Sequence, residues 1–98
     1  MGRSRAFSVA RRLQANYEAT MKYVYILASL DSAHFYVGVT ADLEARLTKH
    51  NAGEVAHTAK YKPWRMKTYT AFTDEAQAFA FERYLKSASG RAFAKKRL

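Results

Sequence analysis

The sequence predicts an α+β domain: a small central antiparallel sheet of three strands, flanked by helices. Three observations predict it. Two runs rich in aromatic and β-branched residues, "YVYILA" and "FYVGVT", flank the polar break "SLDSAH". A third such run, "RMKTYTAF", falls between two stretches of helical periodicity. The resulting order is strand, strand, helix, strand, helix, helix, which segregates helices around an antiparallel sheet.

Each element has its own signal. Along residues 22–28, Tyr23, Tyr25 and Leu27 alternate with Val24, Ile26 and Ala28, so both faces of this strand are apolar and both are covered. "SLDSAH" is turn chemistry, and residues 35–40 return. Gly38 inside the return strand marks a close backbone approach. "TADLEARLTKHN" is a helix, with Thr40 or Asp42 as cap, Leu43 and Leu47 at i, i+4, and Asn51 and Gly53 at its end. "EVAHTAKYKPW" is expected to be a loop broken by Pro63, the sole proline. After the third strand, Thr73 or Asp74 opens the helix "DEAQAFAFERYLKSAS", with Gln77 in capping-box spacing from Asp74 and Gly90 as the expected stop. "RAFAKKRL" is a basic tail or a short last helix.

With 98 residues the chain is one domain. A chain of this size buries about two-thirds of its unfolded surface, enough for one modest core without staples. Residues 1–20 are expected to form a separate basic arm, with Arg3, Arg5, Arg11 and Arg12 against Glu18; it is frayed, disordered or loosely helical, or it precedes a natural start at Met21. Residues 21–98 are the folded domain. No cysteine is present, which excludes disulfides, thiolate metal sites and thiol nucleophiles, and fits a reducing, cytoplasmic setting. No apolar run approaches the ~18 residues of a membrane span. The net charge of +9 favours a polyanionic partner, DNA or RNA.

Five residues carry the candidate chemistry. A hairpin centred between Leu30 and Asp31 places Tyr25 opposite Tyr36, two phenols on one sheet face. Arg46 and His50, four apart, share a helical face beside the Leu43–Leu47 stripe that must meet the sheet. Glu82 lies on the margin of the apolar stripe Ala78, Phe81, Leu85, Ala88. A carboxylate there is either salt-bridged, to Arg46 or Lys86, or it holds a cation, because leaving it desolvated and unpaired is costly.

"YVY" at 23–25, "YVG" at 36–38, Arg46, His50 and Glu82, in this order and spacing, resemble the GIY-YIG endonuclease family. "YVGVTADLEARLTKHN", "HTAKYKPW" and "FERYLKSASGRAFAKKRL" resemble its small stand-alone bacterial branch, and the likeness covers residues 21–98. The chain departs from the pattern where Tyr23 replaces the first motif's glycine and Val37 replaces isoleucine. Val39 and Thr40 stand where some relatives carry a lysine, for which Lys49 and Lys60 are candidate substitutes.

The resemblance implies hydrolysis of DNA phosphodiesters with one Mg²⁺ or Mn²⁺ ion. It makes Tyr25 and Tyr36 the motif tyrosines, Arg46 the catalytic arginine, His50 its partner one turn later, and Glu82 the metal ligand. One carboxylate suffices for Mg²⁺, which keeps several waters. Arg46 would meet the phosphate with paired N–H donors. One tyrosine, its pKa lowered from about 10 by nearby cations, would take a proton from water. Lys49, Lys60, Lys62, Arg65, Arg91, Lys95 and Lys96 are the expected phosphate contacts, and Trp64 either stacks on a base or caps the core. A non-catalytic nucleic-acid-binding module with the same fold is the alternative.

Overall fold

The computed structural model describes residues 20–98, so the expectations for residues 1–19 lie outside the described residues. Three strands, β1 (Lys22–Ser29), β2 (Phe35–Thr40) and β3 (Trp64–Phe72), form one antiparallel sheet in the order β2-β1-β3. Among the described residues the sheet is accompanied by helices α1 (Leu43–Asn51), α2 (Ala56–Ala59), α3 (Glu75–Lys86) and α4 (Ala88–Arg97). The predicted fold class is therefore the observed one.

β1 is the central strand, and residues 24–29 are all buried. Its alternation divides the core into two layers. Tyr25 and Leu27 pack with Trp64 on one side, against Tyr36, Leu43, Leu47 and Met66. Val24 and Ile26 pack with Ala78 and Leu85 on the other, against Phe81, Ala94 and Leu98. Helix α1 thus covers the tyrosine side, and α3 and α4 cover the opposite side.

The hairpin register differs from expectation. Tyr25 pairs with Gly38, and Tyr36 pairs with Leu27. The connection is longer than a tight turn and holds itself together. Ser29 Oγ donates to Asp31 at 2.6 Å and accepts from the His34 N–H at 3.1 Å, while Ser32 takes a positive φ of 57°. The slip is two residues, so each side chain keeps its face.

Caps fix the helix starts as the sequence indicates. Asp42 accepts from the Ala45 N–H at 3.0 Å, and Asp74 from the Ala76 N–H at 2.9 Å. Gly53, at φ 76°, follows the end of α1. Two expectations fail. The stretch expected to be a loop contains α2. Gly90 does not end α3 but lies in the first turn of α4, where a Cβ would fall 1.7 Å from the Tyr84 carbonyl oxygen. The break comes at Ser87, whose hydroxyl donates to the Tyr84 carbonyl at 2.6 Å and accepts from the Gly90 N–H at 3.1 Å. One side chain closes a helix and opens the next.

Candidate active site

The tyrosine side of the sheet gathers four of the five candidate residues. Tyr25, 1% exposed, runs from the central strand over Gly38 of the edge strand. A Cβ at Gly38 would fall 2.5 Å from the Tyr25 oxygen, so the glycine gives the phenol its path. Tyr36 lies diagonal to it, with ring centroids 6.2 Å apart. The two phenols are neighbours despite the changed register.

Helix α1 brings Arg46 and His50 to the same oxygen. Arg46 Nε donates to Tyr25 Oη at 3.2 Å, and His50 Nε2 lies 2.9 Å from it. The His50 ring is fully buried, 4.9 Å from the Tyr36 ring centroid. Its Nδ1 is 2.7 Å from Thr58 Oγ1, and that hydroxyl is 3.3 Å from the Val55 carbonyl.

The donor and acceptor capacities of these partners favour one tautomer. Arg46 can only donate, so the Tyr25 hydrogen goes to His50 Nε2. Nε2 is then unprotonated, and a neutral ring carries its hydrogen on Nδ1. That hydrogen goes to Thr58 Oγ1, whose own hydrogen goes to Val55. A directed chain results: Arg46 to Tyr25 to His50 to Thr58 to the backbone. It gives every hydrogen an acceptor, and among the described residues no buried side-chain polar atom lacks a partner.

Electrostatics support the neutral ring. Burial, and next the Arg46 charge, push His50 below the usual 6.5. Burial also pushes Tyr25 above its usual 10.0, outweighing the hydrogen bond from Arg46 that pulls it down; the charges of Tyr36 and Glu82 push the same way as burial. The expectation of a cation-lowered tyrosine is therefore overturned at Tyr25. The hydrogen bond to Tyr25 in turn holds Arg46 more firmly in its charged form.

Glu82 comes from α3, on the other side of the sheet, yet its charge reaches Tyr25. Its side chain is 20% exposed, and Lys86 Nζ is 3.2 Å from Oε2. The salt-bridge partner is thus Lys86 and not Arg46. Among the described residues no group of three or more His, Cys, Asp or Glu side chains forms a metal cluster. Glu82 is a hard oxygen donor able to serve an ion that keeps most of its waters, which is the habit of Mg²⁺.

The expected phosphate contacts divide between the two sides. Lys49, Lys60, Lys62 and Arg65 are exposed on and after α1, with Lys60 over the Tyr61 ring and Arg65 donating to Ser32 at 3.0 Å. Arg91, Lys95 and Lys96 are exposed on α4, where Arg91 donates to the Lys86 carbonyl at 2.8 Å. Trp64 is core: it is 4% exposed and its Nε1 donates to the Thr58 carbonyl at 2.8 Å. The Asn51 amide bonds both the N–H and the carbonyl of Trp64, tying the end of α1 to the start of β3. Sequence reasoning missed Thr58. The signal for it was only its place shortly before the third strand, which begins at Trp64, inside a stretch read as a loop.

The GIY-YIG catalytic domain model matches residues 21–97, and the chain belongs to the GIY-YIG family. It is similar to a UPF0213 protein of Lacticaseibacillus paracasei, 40% identical over 65% of this chain and 72% of the relative. A UPF0213 protein of Streptococcus pyogenes serotype M3 is 34% identical over 71% of this chain and 76% of the relative. Their names state no activity. A solution NMR structure of a UPF0213 protein from Bacillus halodurans is 32% identical, with a TM-score of 0.48 over 76% of this chain and 80% of that one. Among the described residues no helix is long and apolar enough to cross a membrane.

Proposed function

We propose that the chain is a metal-dependent endonuclease that hydrolyses phosphodiester bonds in DNA, with Tyr25, Tyr36, Arg46, His50 and Glu82 as its catalytic group. The single observation that carries this is the chain from part-buried Arg46 through buried Tyr25 to buried His50. A neutral imidazole bonded to a phenol that itself faces a cation is a costly thing to bury for packing alone. It is a ready arrangement for moving a proton beside a phosphate.

The residues divide the work by their chemistry. Tyr25 takes the proton of the attacking water at Oη and passes its own to His50 Nε2. The imidazole is a suitable acceptor because burial and Arg46 keep it neutral before the reaction. Thr58 holds the ring so that Nε2 faces the phenol. Arg46 uses its remaining N–H groups on the phosphate as charge grows there. Tyr36 lines the same space, its ring beside those of Tyr25 and His50. Glu82 would hold one Mg²⁺ or Mn²⁺, which when bound acts as a Lewis acid on the phosphate and leaving oxygens. The exposed lysines and arginines supply backbone contacts without sequence reading.

The test is incubation of the protein with plasmid and branched DNA in Mg²⁺, Mn²⁺ or EDTA. Nicking that needs the metal is expected. Salt-sensitive binding with no cleavage in any metal would instead assign a nucleic-acid-binding module.

A further inference from the structure

The opposite side of the sheet holds a second feature. Between β2 and the last two helices a cleft of ≈ 670 Å³ opens, within the ~300–1,000 Å³ range of ligand pockets. Ile26, Val37, Leu85 and Ala94 give it an apolar lining. Lys67, Lys86, Arg91 and Lys95 give it four cations, and no acid lines it. Among the described residues only Lys86 of these four has an acidic partner, Glu82. Phe35, 55% exposed, also lines the cleft, with Lys67 Nζ 5.4 Å from its ring centroid. Tyr36 borders it from the edge strand, whose other face carries the Tyr36 ring beside Tyr25 and His50, and the Lys86–Glu82 pair is a second link to the candidate active site.

An apolar pit ringed by cations fits a ligand with a flat apolar face on an anionic backbone. We propose that this cleft receives an unpaired nucleobase of the strand being cut, so that the substrate is single-stranded or locally unpaired nucleic acid. The inference rests on the phosphodiesterase reading of the site and names its substrate class. Phe35 offers the stacking surface, and the four cations hold the flanking phosphates. A base within an intact duplex is stacked and paired and would have to leave the helix to enter. Charge excludes the nearer rivals. The N-terminal arm has four arginines against one acid, and a second copy of the chain brings +9, so both match the sign of the cleft.

The experiment is fluorescence anisotropy in EDTA with the full chain and three labelled DNAs of equal length: oligo-dT, the same strand with abasic sites, and a blunt duplex. Oligo-dT is expected to bind about fivefold or more tighter than the abasic strand. Phe35→Ala should remove most of that difference and leave abasic affinity unchanged, while Phe35→Trp should retain it. Equal affinity of wild type for oligo-dT and the abasic strand would overturn the pocket, as would tightest binding to the duplex or an unaltered preference in Phe35→Ala. These outcomes are independent of cleavage. A base preference without nicking would keep the pocket and sink the nuclease, and nicking without a base preference would do the reverse.

Discussion

Tyr25 and Gly38 face each other across the β1–β2 pair, and the phenol occupies the space a side chain at position 38 would need. The motif glycine therefore has a local cause. It lets a residue of the central strand deliver its oxygen to the sheet's edge, where Arg46 and His50 meet it.

Gly38→Ala is predicted to displace the Tyr25 ring. The new methyl would lie 2.6 Å from the ring carbon that bears the hydroxyl, in a buried layer with little room to yield. Overpacking of this kind costs about 1–3 kcal/mol. Urea denaturation should show the loss, and the Tyr25–His50 bond should break with it, abolishing cleavage beyond what the lowered stability explains.

Thr58→Val keeps the shape of a buried side chain and removes the partner of His50 Nδ1. An imidazole N–H left buried and unpaired costs about 1–3 kcal/mol. Nitrogen-15 NMR of the His50 ring should report hydrogen on Nδ1 in the wild type and a changed tautomer population in Thr58→Val. Thr58→Ser, which keeps the hydroxyl, should restore the wild-type signature. Protonation at Nε2 in the wild type would contradict the assigned chain.

Stability should have a plateau bounded by the same two groups. His50 is held below 6.5 in the folded state, so beneath that pH the unfolded chain binds its proton first and stability falls as pH drops. Tyr25 is held above 10.0, so above that pH the unfolded chain loses its proton first and stability falls as pH rises. The urea midpoint should therefore decline below pH 6.5 and above pH 10.0, and His50→Gln should flatten the acid limb. An acid limb unchanged in His50→Gln would assign the titration elsewhere.

Much of this was legible in the sequence, and the failures have physical causes. The two faces of β1 follow from period-two alternation, and α1 from Asp42, Leu43, Leu47 and Gly53. The register was not legible because loop length sets it, and residues 30–34 carry no two-residue turn signal; their geometry depends on Ser29 and Asp31 bonding to each other. The error spared the site, because a slip of two keeps Tyr36 on the face of Tyr25. Ser87 looked like mid-helix sequence and Gly90 like a stop, but only the packing of α4 back on α3 decides which of them is the break. The direction of the Tyr25 shift was misjudged because the sequence marks the strand as covered but does not weigh that burial against the neighbouring cation. Thr58 was invisible for the same reason: its role exists only once α2 brings it to His50.

Glu82→Gln separates the catalytic from the structural use of the carboxylate. Its pair with Lys86 is an i, i+4 surface bridge, worth no more than about 0.5 kcal/mol, so the urea midpoint should barely move. The most direct measurement is nicking of plasmid DNA in Mg²⁺ by wild type and Glu82→Gln, with binding of the same DNA measured in EDTA. Cleavage by the wild type that disappears in Glu82→Gln, with binding kept within a few-fold, is the predicted result. Undiminished cleavage in Glu82→Gln would contradict the proposed metal site, and absence of cleavage in both proteins would contradict the nuclease itself.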